Sequence, residues 1–111
     1  MEQITLDLIP GKVLPVCHAS QYDVGRQIRI NLTDAGTPYT LDGTETITAD
    51  VRKTDGCIVT EACTVVASKT YVDLITTQQM TACFGLNLCE LKIEKGADTI
   101  GTLNFILDVE E

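Results

Sequence analysis

The feature that most constrains this chain is an alternation of apolar and polar residues within the stretch 21–56. Ile28, Ile30 and Leu32 alternate with polar residues along one segment, and the segment 46–52 repeats the pattern. Successive side chains of a β-strand point to opposite faces, so a period of two predicts strands with one buried face and one exposed face. The stretch therefore predicts two strands of a half-buried sheet.

Turn signals separate these two strands from each other and from their neighbours. An aspartate side chain accepts hydrogen bonds from nearby main-chain N–H groups, and glycine adopts positive φ at no steric cost. Such pairs occur as Asp23-Val24-Gly25, Asp34-Ala35-Gly36, Asp42-Gly43 and Asp55-Gly56. The last of them lies between Arg52-Lys53 and Ile58-Val59 and predicts a hairpin. The segment 33–44, which contains Pro38, is predicted to be a surface loop.

The same alternation recurs along the rest of the chain. It predicts strands over residues 4–9, 12–18, 28–32, 46–52, 57–59, 63–67, 71–75, 88–94 and 99–109. Thr76 and Gln79 fit a capping box, which predicts one short helical turn near residues 77–84. Thr, Ile and Val make up 35 of the 111 residues, and these β-branched side chains favour strands. We therefore predict one all-β domain over residues 1–111, a β-sandwich of about eight or nine short antiparallel strands.

The acidic composition argues against two classes of partner. The formal net charge is −8, whereas nucleic-acid binding requires a basic patch and anionic membranes attract basic segments. No apolar run approaches the roughly 18–20 residues that span a membrane, and the N-terminus lacks the basic and apolar regions of a signal peptide. We therefore expect no nucleic-acid partner, no membrane partner, folding in a cytoplasm and free cysteine thiols.

Few residues are placed to carry out a reaction. His18 is the sole histidine, so a Ser-His-Asp or Cys-His arrangement would require it, yet the adjacent Cys17 would lie on the opposite face of a strand. A surface histidine is therefore the favoured interpretation. The aspartates near glycines are explained by turns and lack the alternating ligand spacing of a calcium loop. We expect no enzyme activity, no catalytic residues and no cofactor.

The cysteines, at positions 17, 57, 63, 83 and 89, lack the two-residue spacing of a zinc site. On one extended strand Cys57 and Cys63 would lie roughly 20 Å apart, which is too far to share a metal ion. A hairpin between them would shorten that distance, so the metal alternative is disfavoured but stays open. We predict buried thiols that pack as small apolar residues, and no metal site.

The motifs of the stretch 21–56 resemble the N-terminal domain of the baseplate upper protein family of tailed phages and prophages. The matching residues are Asp23-Val24-Gly25-Arg26, Leu32-Thr33-Asp34 with Gly36, Pro38, Tyr39, Leu41 and Gly43, then Val51-Arg52-Lys53-Thr54-Asp55-Gly56, and downstream Val72-Asp73-Leu74, Thr77-Gln78-Gln79-Met80, Glu90-Leu91 and Asn104-Phe105-Ile106-Leu107-Asp108-Val109. The most specific part is the Arg-Lys-x-Asp-Gly hairpin together with the upstream Asp-x-Gly pattern. The resemblance covers nearly the whole chain.

This resemblance implies an immunoglobulin-like β-sandwich that attaches receptor-binding modules to the baseplate of a phage tail. Members of the family continue beyond this domain into a helical linker and a C-terminal region. The implied partners are other baseplate and tail proteins and further copies of the chain, and the implied location is the virion. Tyr39, Arg52 and Lys53 are the candidate interface residues. Tyr39 lies in a loop flanked by glycine and proline, where a tyrosine either anchors an interface or caps the end of the sandwich.

Two other functions stay open at this point. A carbohydrate- or ligand-binding module of a phage fibre or a bacterial surface protein predicts an exposed aromatic cluster, drawn from Tyr22, Tyr39 and Tyr71, or a bound calcium ion. A hydrolase predicts a cleft in which His18 lies within hydrogen-bond reach of a cysteine or a carboxylate.

Overall fold

A computed structural model describes residues 2–11 and 13–111 and places them in nine β-strands connected by turns and loops. The strands are β1 Glu2–Asp7, β2 Val16–Ser20, β3 Gln27–Asp34, β4 Thr37–Pro38, β5 Glu45–Arg52, β6 Ile58–Ala62, β7 Tyr71–Ile75, β8 Gly85–Lys95 and β9 Asp98–Glu110. No residue in the described ranges belongs to a helix. The predicted all-β class is confirmed.

The strands form two sheets with the core between them, so the predicted β-sandwich is confirmed. In the four-stranded sheet, β1, β4 and β7 all pair with β3. Because β1 and β7 both pair with residues 28–31 of β3, they lie on its two opposite sides. The five-stranded sheet has the order β2-β9-β8-β5-β6, which leaves β2 and β6 at its edges. The immunoglobulin-like subtype stays a prediction.

Two strand pairs are parallel, whereas the sequence pattern predicted antiparallel strands throughout. β1 runs parallel to β3, and β2 runs parallel to β9. The chain leaves β1 in one sheet, forms β2 in the other sheet and returns as β3, so no hairpin reverses the direction between β1 and β3. An alternation of period two is the same in parallel and antiparallel sheets, and it does not reveal which pairing forms.

The segment 33–44, predicted to be a surface loop, contributes to the sheet and to the core. β3 continues to Asp34, and a two-residue turn at Ala35 and Gly36, with φ values of 51° and 85°, leads into β4. Two consecutive positive φ values match the twist of a hairpin, which the loop interpretation overlooked. Leu41 is 1% exposed and belongs to the core.

The other strand predictions differ from the structure mainly at their ends. Residues 63–67 form no strand, because only Thr64 pairs there, in an isolated bridge to Asp73. The strand predicted at 57–59 extends to Ala62 as β6. The strand predicted at 12–18 begins at Val16, directly after Pro15, and Lys12 lies outside the described residues. Proline has no N–H group to donate, which explains why the strand begins after it.

The helical turn predicted near residues 77–84 is reduced to one hydrogen-bonded turn. The N–H group of Thr81 donates to the carbonyl of Thr77 at 3.4 Å, and the N–H group of Met80 donates to the hydroxyl of Thr77 at 3.3 Å. The capping residue is therefore Thr77, one position after the predicted Thr76. Thr76 is buried instead, and its hydroxyl accepts a hydrogen bond from the N–H group of Arg26.

The core consists of the inward-facing side chains of both sheets. Its largest fully buried members are Phe105, Ile28, Ile30, Leu32, Leu41, Ile47, Leu74, Met80, Leu91, Ile93, Leu107 and Val51. Burying one aliphatic or aromatic side chain of this kind contributes about 1.5–3 kcal/mol relative to leaving it exposed. The core therefore fixes which residues of each strand face inward and which face the solvent.

Asn87 is a buried polar residue near the start of β8 that connects three parts of the chain. Its Oδ1 atom accepts a hydrogen bond from the N–H group of Thr54 at 3.1 Å. Its Nδ2 atom donates to the carbonyls of Cys83, Gly85 and Leu107, at 3.3, 3.2 and 3.3 Å. Asn87 thus joins the turn after β5, the loop before β8 and strand β9.

Replacing Asn87 should destabilise the domain strongly. The Asn87→Leu variant leaves the N–H group of Thr54 and three carbonyls without this partner at a buried position of β8, so we expect the free energy of unfolding to fall by about 2–4 kcal/mol. Urea denaturation measures this change. The matched Asn104→Leu variant, at an exposed position of β9, should stay within about 0.5 kcal/mol of wild type. Equal stability of the two variants would contradict this role of Asn87.

Asp7 closes the turn between β3 and β4 from the end of β1. Its carboxylate accepts hydrogen bonds from the Thr33 hydroxyl at 2.7 Å and from the N–H groups of Ile9, Gly36 and Ala35 at 2.8, 2.8 and 3.1 Å. These donors favour the ionised form, the Thr33 hydroxyl most strongly, and lower the pKa of Asp7 to about 2. The fold is therefore stabilised by the ionised Asp7.

This lowered pKa predicts how acid affects stability. The contribution of Asp7 is present above the unfolded-state pKa of about 3.9 and is lost as the pH falls through the folded-state pKa of about 2. An Asp7→Asn variant should therefore melt at a lower temperature than wild type at pH 6, and the difference should shrink between pH 4 and pH 2. Thermal melts across this range measure the difference, and a constant difference would contradict the assignment.

Candidate interaction face

The outer face of the four-stranded sheet is polar apart from Ile75 near the end of β7, and its residues Arg29 and Asp73 are paired with each other. The Nε atom of Arg29 on β3 lies 3.0 Å from the Oδ1 atom of Asp73 on β7. The same guanidinium lies 3.8 Å from the ring centre of Tyr71, in a cation–π contact. Hydrogen bonding to Arg29 lowers the pKa of Asp73. This face satisfies its own polar groups and offers little that a partner would need to cover.

The outer face of the five-stranded sheet carries a row of four exposed or half-buried apolar side chains, interrupted by the charged Arg52. Strand register places Val16 of β2 beside Ile106 of β9, Ile106 beside Leu88 of β8, Leu88 beside Arg52 of β5, and Arg52 beside Ile58 of β6. Leu88 is 47% exposed and Ile58 is 55% exposed. These five residues, called the apolar row below, cross the whole sheet.

The apolar row departs from the usual pattern of a sheet that faces water. Outward positions of such a sheet normally carry polar residues, because only the inward positions gain from burial. Leu86 and Phe84, at and just before the start of β8, add further exposed apolar area near the row. Several large apolar side chains exposed on one face of a folded domain and rimmed by polar residues are typical of an interaction site. The five-stranded sheet therefore carries the candidate functional surface of this chain.

The strands around the row supply an area close to that of a standard interface. The five strands contain 42 residues, which at about 3.4 Å along the strand and about 4.8 Å across it cover roughly 690 Å². A standard protein–protein interface covers about 800 Å² on each partner. The outer face of this one sheet therefore supplies most of the area of such an interface.

Next to the apolar row, a line of polar residues runs across the same strands. Register places Asn104 beside Glu90, Glu90 beside Asp50, and Asp50 beside Thr60. The Thr60 hydroxyl donates to the Oδ1 atom of Asp50 at 2.6 Å. Between the two lines lies a cavity of about 260 Å³. Its lining residues are Asp50, Arg52, Ile58, Leu88, Cys89, Glu90 and Asn104.

Of the three candidate interface residues, the structure places Arg52 on this face and the other two elsewhere. Arg52 is exposed within the apolar row. Lys53 is only 7% exposed, beside the Asp55-Gly56 turn. Tyr39 follows β4 and packs against the core, with its N–H group bonded to the carbonyl of Leu32. The three residues therefore do not form one surface.

The sequence reasoning missed the apolar members of the row. In the segment 85–95, Leu86 and Leu88 stand on one phase of the alternation, while Leu91 and Ile93 stand on the other. Both phases thus contain large apolar residues. The second set of apolar positions was the sequence signal for the row, because a strand with one solvent-exposed face needs apolar residues on one phase only.

The single histidine lies on the surface of β2. The Nδ1 atom of His18 is 3.6 Å from the Oδ2 atom of Asp108 on β9, and the side chain is largely exposed. Cys17 points to the other face of the strand and is buried. Within residues 2–11 and 13–111, no group of three or more His, Cys, Asp and Glu side chains is placed to hold a metal ion.

The tyrosines do not form an exposed cluster. Tyr22 is exposed in the turn after β2, Tyr71 contacts Arg29 on the four-stranded sheet, and Tyr39 packs against the core. A sugar-binding platform needs adjacent exposed rings, so this arrangement offers no support for the carbohydrate-binding alternative.

All five cysteines are free, and they differ in exposure. Cys17, Cys63 and Cys89 are buried as predicted, and burial raises the pKa of each of these thiols to about 12. Cys57 is exposed and Cys83 is half-buried, which corrects the prediction that the thiols are buried. Cys57 is exposed because it directly follows the Asp55-Gly56 turn.

Thiol modification should separate these two groups. A thiol reagent at pH 8 should modify Cys57 rapidly and Cys83 slowly in the native protein, because only thiolates that contact solvent react. Cys17, Cys63 and Cys89 should react only after unfolding. Mass spectrometry of the modified peptides identifies the sites, and a Cys57→Ser variant should lack the rapid phase. Rapid modification of a buried thiol in the folded protein would contradict the burial described above.

Comparison with solved structures shows that this fold also occurs in a phage protein. The structure is similar to the "N-terminal domain of phage TP901-1 ORF48" over 99% of this chain and 98% of the other chain, with a TM-score of 0.73 and 15% sequence identity. A likeness at this identity establishes a shared fold. No family model and no curated protein matches the sequence.

Within the described residues there is also no helix long and apolar enough to cross a membrane.

Proposed function

We propose that this chain is a structural component of a phage or prophage tail that attaches receptor-binding parts to the baseplate through protein–protein contacts. The observation that carries the proposal is the apolar row on the outer face of the five-stranded sheet. Interfaces place apolar residues at their centre and polar residues at their rim. The fold shared with a domain of a phage protein supports a viral setting.

The proposed role is mechanical and includes no catalysed reaction, no metal and no cofactor. The apolar row would form the centre of the interface, and the polar residues on both sides of it would form the rim. The partners would be other tail and baseplate proteins, with several copies of the chain in each virion. The chain would fold in the cytoplasm of the bacterial host before assembly.

The geometry favours attachment through a sheet face, with the edge strand β6 next to it. Ile58 lies on β6 and also ends the apolar row. A partner that covers Ile58 therefore comes close to the unpaired outer edge of β6, where main-chain groups can accept another strand. The face supplies apolar area, and the edge adds directional hydrogen bonds.

The proposal is tested by placing charges in the apolar row. Each structural protein encoded by the reading frames next to this gene is expressed with this chain, and binding is measured by co-purification and then by calorimetry. We expect one of them to bind wild type. The double variant Ile58→Asp with Leu88→Asp should weaken binding by at least about 100-fold, because each buried aliphatic side chain contributes about 1.5–3 kcal/mol.

The matched control carries the same substitution on the other sheet. Ile75 on β7 is an exposed strand residue, like Ile58, but it belongs to the four-stranded sheet. An Ile75→Asp variant should bind like wild type, and thermal melts should show that all variants fold. Binding by the double variant with unchanged affinity would contradict the assigned face. Failure of every neighbouring tail protein to bind would contradict the proposed function.

A further inference from the structure

The cavity on the outer face of the five-stranded sheet has one apolar side and one acidic side. Leu88 and Ile58 form the apolar side, with Arg52 between them, and Asp50 and Glu90 form the acidic side. Its volume of about 260 Å³ accommodates one long side chain. Lysine and arginine have this combined character, since an apolar stem carries a charged end group.

The two carboxylates of the cavity lie side by side on neighbouring strands. Asp50 and Glu90 stand directly opposite each other on β5 and β8, and like charges in this position destabilise a sheet. Neither carboxylate takes part in an ion pair within the part of the chain that the structure describes. Asp50 accepts a hydrogen bond from the neutral Thr60 hydroxyl. A cation placed between them would relieve this repulsion.

We propose that this cavity binds a lysine or arginine side chain of the partner protein, with the stem against Leu88 and Ile58 and the charged end group between Asp50 and Glu90. This inference rests on the proposed function and identifies the chemistry of the partner surface. That surface carries an apolar ridge opposite the apolar row and a basic residue beside it. Charge-assisted hydrogen bonds to two carboxylates would fix the register of the complex.

Arg52 lines the same cavity, and its positive charge sets a second requirement for the partner surface. Its guanidinium forms no ion pair with a described residue, so it leaves Asp50 and Glu90 available to the incoming cation. It would repel that cation unless a partner group compensates. A carboxylate on the partner next to the inserted basic residue matches Arg52 and completes an alternating pattern of charges across the interface.

The charge of the chain argues for a different protein as the occupant, and against a second copy of this chain. The chain has a formal net charge of −8, with 16 acidic residues and 8 basic residues. A second copy would bring its own Asp50 and Glu90 towards the same face, where like charges oppose association. A partner with a basic surface meets no such repulsion and is attracted from a distance.

The test removes the two negative charges while keeping the shapes of the side chains. The variant Asp50→Asn with Glu90→Gln is compared with wild type by calorimetry, using the neighbouring tail protein that binds wild type. We expect at least about tenfold weaker binding at low ionic strength and a smaller dependence of affinity on salt. The free variant should melt at the same temperature as wild type or higher, because a repulsive pair has been removed.

The control variant removes the same net charge elsewhere. Asp34 and Glu111 are exposed and lie outside the cavity, so Asp34→Asn with Glu111→Gln should bind within about twofold of wild type. Equal loss in both variants would show a general charge effect and overturn the inference. Unchanged binding by the cavity variant, with loss in the apolar-row variant, would overturn the cavity assignment alone.

Two remaining outcomes are also decisive. If no neighbouring tail protein binds wild type, the inference fails together with the proposed function. If wild type self-associates in analytical ultracentrifugation and the cavity variant does not, a second copy occupies the cavity and the inference is wrong.

Discussion

The structure depends on the burial of one face of each sheet against the other. Phe105, Leu91 and Ile28 are completely shielded from solvent, and their strands place every second residue in the same layer. Once these residues point inward, the residues between them must point outward. Pairing between strands then brings outward residues from distant parts of the chain into rows. The apolar row is therefore a consequence of the same core that holds the sheets together.

The two outer faces differ in how their polar and apolar residues are arranged. On the four-stranded sheet, Arg29 pairs with Asp73 and contacts Tyr71, so the polar groups satisfy each other. On the five-stranded sheet, Leu88 and Ile58 remain exposed, and Asp50 and Glu90 beside them form no ion pair with a described residue. Contact with a partner would bury the exposed apolar side chains and would place a cation beside the two carboxylates. This difference between the faces is the reason for assigning the binding role to one of them.

Local sequence patterns predicted most strands and turns, because both arise from neighbouring residues. The glycines of the Asp-Gly turns adopt positive φ as expected, including Gly56 at 89°. Pairing between distant strands was not predictable in this way, since period-two alternation is the same for parallel and antiparallel neighbours. The row joining Val16, Ile106 and Leu88 depends on that pairing. Arg52 was selected from its hairpin motif, and nothing local indicated that its neighbours across the sheet are apolar.

Contact between the apolar row and the partner can be observed by nuclear magnetic resonance cross-saturation from the bound tail protein to labelled Ile, Leu and Val methyl groups. The methyl signals of Val16, Ile106, Leu88 and Ile58 should lose intensity, while those of Ile75 should keep it. Loss of intensity at Ile75, with the methyl groups of the row unaffected, would show that the partner binds the other sheet and that the proposed interaction face is wrong.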